Sequence, residues 1–238
     1  MGQLLSPIER TGTLHDVRES GALVANWMRA EFANRKMLNG KLCVKMRGAR
    51  RERYKQVQRL CEKIADLLVF TVETEPVGVE RIPRYTALGH WEPRQRPCVD
   101  GYNARVYPLS IIMIDLKLGY HQRYAPFVLF SEHAMARLLM RSSATNLSEL
   151  NDFVAPVVTS VFMSLRNADL PRDSFVLVTQ DFYVPFAVVR GRPLAKTWVP
   201  RSDWTRPQTE RLRRMTYDFR RGGGTAILDN VPEAVAGV

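Results

Sequence analysis

His133, Arg137 and Arg141 fall four residues apart in "FSEHAMARLLMR", residues 130–141. On a helix that spacing sets them one above another along one side, and Ala134, Met135, Leu138 and Leu139 are left to face a core. A histidine in the first turn has its cationic form disfavoured by the helix dipole. It then sits neutral near pH 7 and can accept a proton. Two guanidiniums one and two turns further on can hold a phosphate and stabilise its extra charge in a transition state. Together these groups would suit metal-free RNA cleavage: a base for the 2′-hydroxyl and cations for the phosphorane. The same residues would also make an ordinary solvated helix face.

Two other stretches carry chemistry-bearing types. "KMRGARRERYK", residues 45–55, holds Lys45, Arg47, Arg50, Arg51, Arg53 and Lys55, with only Glu52 to offset them. Mutual repulsion there would be relieved by phosphates at the start of a helix, or simply by water. In "GHWEPRQRPCVDGYNAR", residues 89–105, Trp91 and Tyr102 could stack on bases while Arg94, Arg96 and Arg105 meet phosphates. The alternative is a long connection pinned by a buried tryptophan. Asp115 and Lys117, two apart at the end of "IIMIDLK" with Asp100 upstream, match the acid and lysine spacing of metal-dependent nucleases. A polar strand end explains them as well. No phosphate loop, dinucleotide fingerprint or zinc-protease motif occurs, and the four histidines show no metal-ligand spacing with the cysteines. No cofactor and no metal are expected.

Composition bounds the class of partner. The net charge is +11 over 238 residues. It is uneven, with 13 Lys or Arg against 5 Asp or Glu in residues 1–60. An anionic partner follows, nucleic acid first and RNA before DNA. Three cysteines, Cys43, Cys61 and Cys98, make an odd count without a close pair, which fits a reducing, cytoplasmic setting. No apolar run is long enough to span a bilayer, and the first residues lack the pattern of a signal peptide. No membrane partner is expected.

The positioning elements are read from periodicity. Val17, Val24, Trp27, Met28 and Phe32 predict a helix over residues 14–37. Tyr54, Val57, Leu60, Cys61, Ile64, Leu67 and Leu68 predict a second over 50–68, making a basic helical hairpin of residues 1–70. Residues 71–107 read as an irregular, strand- and loop-like connection rich in proline. An α+β domain follows over 108–219. "SIIMIDL" and "APFVLF" are strands joined by a hairpin loop, and Ser131 caps the helix of His133. "NLSE", residues 146–149, is a capping box that opens a longer helix, in which Pro156 marks a kink or a later start. A β-meander runs over 174–180, 183–190 and 194–200, with Pro185 pointing to an edge strand or a bulge. A short basic helix is expected at 206–219 and a flexible tail at 220–238. The fold class is therefore α+β: an N-terminal helical hairpin, then a mostly antiparallel sheet with two packed helices.

Over about residues 108–200 the order of elements resembles RelE/barnase-like bacterial ribonuclease toxins. Ser131, His133, Ala134, Arg137 and Arg141 match a "(S)xHAxxRxxxR" helix of some branches, and Lys196, Thr197 and Trp198 match the end of the sheet's last strand. The resemblance implies metal-independent RNA cleavage in a bacterial or mobile-element setting. His133 would be the acid/base, Arg137 and Arg141 phosphate binders, and Lys196 a further cation; an antitoxin or other protein partner is implied with them. The meander supplies no Glu or His as a second acid/base. That feature supports the competing class, a non-catalytic nucleic-acid-binding or assembly protein.

Overall fold

A computed structural model describes residues 46–64, 67–92, 96–97, 105–142, 144, 146–166, 173–179, 181–207, 209–210 and 226–229. The helix expected at 14–37, Lys45, Arg94, Asp100, Tyr102 and most of the helix expected at 206–219 lie outside them.

Helix α1 spans Arg50–Lys63, with Glu52 in its first turn and Lys63 in its last, each matched to the helix dipole. It closes at Ile64, whose N–H bonds the Leu60 carbonyl. The apolar stripe read through Leu68 therefore belongs to two elements, because Leu68 opens strand β1 (Leu68–Val77). β1 pairs with β2 (Glu80–Trp91) from Val77↔Glu80 back to Leu68↔Gly89. Residues 71–107, expected as an irregular connection, thus hold most of a long hairpin. They also hold the short β3 (Arg96–Pro97) and the start of β4 (Arg105–Asp115). β5 (Tyr120–Ser131) follows β4, beginning well before the expected "APFVLF".

Ser131 ends β5 and caps α2 (Glu132–Arg141) by accepting the Ala134 N–H. Asn146 accepts the N–H of Glu149 at 3.0 Å, and its amide donates to the Glu149 carboxylate at 2.9 Å, opening α3 (Leu147–Arg166). α3 runs on through Pro156, which lies on its exposed side. β6 (Ser174–Val178), β7 (Phe182–Val189), β8 (Arg192–Ala195) and β9 (Val199–Pro200) form the meander. β10 (Ala226–Asp229), inside the segment expected as a flexible tail, pairs antiparallel with β6.

The ten strands among the described residues form one curled sheet in the order β1-β2-β4-β5-β8-β7-β6-β10, with β3 on β4 and β9 on β7. Every pairing is antiparallel except β5–β8, so the sheet is mixed and the fold α+β. Helices α2 and α3 cover one face over the main core, in which Phe70, Leu109, Phe130, Leu138, Val157 and Phe186 are buried. Helix α1 covers the other face at the β1–β2–β4 end, where Val57 packs with Ile82, Leu88, Ile112, Ile114 and Leu116. No described helix is long and apolar enough to cross a membrane.

Two of the arginines in the basic run fasten α1 to that face. Arg50 ion-pairs with Glu75 at 2.7 Å and donates to the carbonyls of Ile82 at 2.7 Å and Pro83 at 3.3 Å. Arg53 donates to the carbonyls of Leu116 and Lys117. Arg51 meets Glu80 out in solvent. Replacing Arg50 with Ala removes a nearly buried charge-assisted network and leaves its acceptors unpaired, so it should destabilise the fold by about 1–3 kcal/mol. Arg51→Ala should cost about 0.5 kcal/mol or less. Urea unfolding of both variants checks the contrast; equal effects would mean that Arg50 is not a strut.

Candidate nucleic-acid interface

The His133 helix lies along the connection from β8 to β9, residues 196–198, and is tied to it at both ends. At its start the Ser131 hydroxyl, while accepting from Ala134, donates to the Lys196 carbonyl at 2.9 Å. At its end Arg141 donates to the Trp198 carbonyl at 2.5 Å. The connection is a bulge. Ala195 pairs with Phe186 and Val199 with Tyr183, so three residues stand opposite Val184 and Pro185. The bulge expected from Pro185 sits on the neighbouring strand, where the Lys196 N–H donates to the Pro185 carbonyl. β7 itself is flanked on both sides, which excludes the edge position. Lys196, Thr197 and Trp198 follow the end of β8 rather than forming it. Trp198 is buried, its ring 4.1 Å from that of Phe182, and this packing fixes the bulge.

This arrangement brings His133, Arg137, Arg141 and Lys196 into one neighbourhood, but not into one role. His133 and Lys196 are exposed and Arg137 is half-buried. None of the three side chains makes a hydrogen bond or ion pair with another described residue. Partial burial against the helix, then Arg137, then Arg141, hold the His133 imidazole below its ordinary pKa, so it is neutral at pH 7. Arg141 is committed elsewhere. It ion-pairs with Asp203 at 2.6 Å as well as bonding Trp198. Asp203 is held in place by a 3-10 turn (Arg201–Asp203), after which Trp204 packs tilted against Tyr183, centroids 5.6 Å apart, and donates to the Val199 carbonyl. Tyr183 is buried; that burial raises its phenol pKa, and nearby Arg141 opposes the rise. Asp203 and Tyr183 were not singled out in the sequence. Neither carries a local motif, and each reaches α2 only through the folding of the meander.

The other candidates separate. In the basic run, Arg50 and Arg53 are struts and Arg51 is paired. The backbone of Arg47 is held by Gln56, and the side chains of Arg47 and Lys55 are exposed. Trp91 is buried and its indole N–H donates to Asn151 at 2.9 Å, so it anchors α3 and offers no face to a base. Asp115 is fully buried. Its Oδ1 accepts the N–H groups of Lys117 at 2.8 Å and Leu118 at 2.7 Å, capping the β4–β5 turn. Lys117 lies in that turn, past the strand end, so the two do not share a strand face. Among the described residues no group of three His, Cys, Asp or Glu could hold a metal ion.

No family model matches the chain, and no curated protein or solved structure matches it either.

The Arg141–Asp203 pair is half-exposed on its acid side, which limits its strength. A double-mutant cycle of Arg141→Ala and Asp203→Ala in urea should give a coupling of about 1 kcal/mol. Arg141→Lys should fail to restore wild-type stability, because a point charge cannot serve a carbonyl and a carboxylate together. Zero coupling would leave Arg141 available to a ligand.

Proposed function

We propose that this chain binds nucleic acid, RNA before DNA, on the strip formed by His133, Arg137 and Lys196 beside the bulge, as a cytoplasmic protein of a bacterial or mobile-element system. The observation that carries this reading is the division of labour on α2. Arg141 is neutralised by Asp203, while Arg137 lies beside a neutral imidazole and Lys196 sits on the adjoining bulge, neither cation paired with a described residue. Such a strip attracts phosphates without selecting a base. Arg47 and Lys55, on the far face of the sheet, are a separate and weaker cationic surface. A protein partner docking on the strip remains compatible with this role.

A second reading, metal-independent ribonuclease, is favoured by the His133 imidazole being held neutral, the form that accepts a 2′-hydroxyl proton. One experiment separates the two. Purified protein is incubated with total RNA in EDTA, and RNA affinity is measured in parallel, with Arg137→Ala/Lys196→Ala and His133→Ala as variants. Binding without cleavage, weakened in the double variant and with a log–log salt slope shallower by about 1.4, is the expected result. EDTA-resistant cleavage lost in His133→Ala would replace it with the enzyme. Wild-type salt slope in the double variant would remove the strip.

The imidazole adds a pH dependence. His133 is neutral in the free protein at pH 7, and a bound phosphate favours the imidazolium, so binding takes up a proton. RNA affinity should therefore rise as pH falls from about 7.5 through the ordinary imidazole range near 6.5. The added dependence should be missing from His133→Ala. Identical pH profiles for the two proteins would place His133 away from the phosphates.

A further inference from the structure

On the same side of the sheet as α2 and α3, a cavity of about 500 Å³ opens between strands β2, β4 and β5, the end of α3 and the β7–β8 turn. Its volume is in the range of small-molecule sites. Five aromatic rings line it: Tyr85, Tyr120, Tyr124, Phe127 and Phe162. Three of them are braced against one another. The Tyr124 ring stands at 70° to Phe127 and 85° to Phe162, with centroids 6.0 and 6.4 Å away, and Phe127 lies 5.9 Å from Phe162. These edge contacts hold the rings in place without a ligand, so little ordering is left for binding to bring about. Tyr120, at the mouth, is 47% exposed.

Among the described residues of the lining Arg192 is the one that carries a charge, and no acid accompanies it. It closes the two-residue turn between β7 and β8, in which Val189 pairs with Arg192. Both central residues have positive φ, Arg190 at 51° and Gly191 at 72°, the pattern of a type I′ turn. That turn favours Asn-Gly, and an arginine at its first central position is disfavoured. The turn therefore carries a second guanidinium at a conformational cost. Arg190 and Arg192 are both exposed, and neither side chain pairs with another described residue.

We propose that this cavity takes one nucleotide, with its planar base among the tyrosine and phenylalanine rings and its phosphate on Arg192 and Arg190. Aromatic rings stack on any base, and guanidiniums match phosphate oxygens two at a time. The nucleotide is either free or one unit of a single strand, and the placement of the cavity suits the strand. β5 and β8 run in parallel away from it, β5 into the Ser131 cap of α2 and β8 into Lys196. Arg192 and Lys196 are four residues apart on an extended chain, about 13 Å. A base in the cavity would so leave the neighbouring phosphates heading for the cationic strip. This strand form rests on the nucleic-acid reading above; the free-nucleotide form does not.

The test uses the full chain. Calorimetric titrations with AMP and with UMP probe the free form. Anisotropy of a labelled single-stranded RNA of about twelve nucleotides probes the strand form. Three variants are compared: Tyr120→Ala, Arg190→Asn/Arg192→Ala, and the strip variant Arg137→Ala/Lys196→Ala. All the replaced residues except Arg137 are exposed, and Asn suits the turn better than Arg, so thermal melting should show the cavity variants to be folded. Binding of a mononucleotide that falls about tenfold in both cavity variants supports the proposal with a free nucleotide as ligand. Oligonucleotide binding that falls about tenfold in the same variants, without mononucleotide binding, supports it with a strand as ligand. If the strip variant alone weakens oligonucleotide binding, the cavity proposal is overturned and the strip reading stands. If neither probe binds the wild type, both are overturned.

Discussion

Leu129 pairs with Leu194 and Phe130 with Ala195, and among the described residues these are the two places where strands run in parallel. They join two antiparallel meanders, β1-β2-β4-β5 and β8-β7-β6-β10, into one sheet. A parallel contact needs a long crossover; here the chain from β5 to β8 runs through α2 and α3, laid over the face where both meanders bury their aromatic side chains, and then through β6 and β7. Phe127 and Phe130 from the first half share a core with Phe186, Ala195 and Trp198 from the second. The seam also fixes what lies at either end of it. Where β5 and β8 finish together, Ser131 meets the Lys196 carbonyl and α2 begins. Towards their other end, Tyr124 and Phe127 face the β7–β8 turn across the cavity. Moving the register of this short contact would separate both sites at once.

A net charge of +11 invites a reading in which arginine means ligand. Much of the guanidinium in this fold is structural instead. Arg50, Arg53 and Arg141 each donate to backbone carbonyls, at Ile82 and Pro83, at Leu116 and Lys117, and at Trp198. These are ends and irregular stretches of strands, where carbonyls lack ladder partners and must be satisfied in some other way. A planar guanidinium with five donors suits that task better than lysine. The geometry at Gly119 shows how close the fit is: a Cβ there, already strained at φ +78°, would stand 2.8 Å from the Arg53 guanidinium carbon. Arg137, Lys196, Arg190 and Arg192 take no such role among the described residues.

What was legible in the sequence was local. Ser131 and Asn146 cap their helices because capping involves only neighbouring residues, and the strands "SIIMIDL" and "SFVLVTQ" announce themselves as apolar runs. The β1–β2 hairpin was hidden by its prolines. Pro83 is accommodated because β4 pairs with β2 only from Tyr85 onward, so on that side Pro83 needs no N–H for a neighbour. The end of α1 was hidden by Leu67 and Leu68, which continue the helical stripe but pack from a connection and a strand. At the candidate site, the spacing of His133, Arg137 and Arg141 correctly placed all three on one helix. It could not reveal Asp203, because nothing near residue 203 signals that its carboxylate will close on Arg141.

That carboxylate bears on the chemistry the α2 residues can perform. A phosphorane is stabilised by cations whose charge is uncompensated and aimed at the place where negative charge grows. Arg141 beside Asp203 is close to neutral as a pair, and its donors already serve a carboxylate and a carbonyl. To act on a phosphate it would have to abandon both, leaving Asp203 and the Trp198 carbonyl unpaired, a loss that weak ground-state binding of phosphate does not offset. Tyr183 is buried and held protonated by that burial, so it does not take a proton from a substrate at neutral pH. His133 has the protonation state of a base, but cleavage also needs an acid for the leaving oxygen, and the meander supplies no Glu or His for it. Arg137 and Lys196, paired with no described residue, and His133, able to gain a proton, are the groups that the proposed binding of a phosphate backbone asks for.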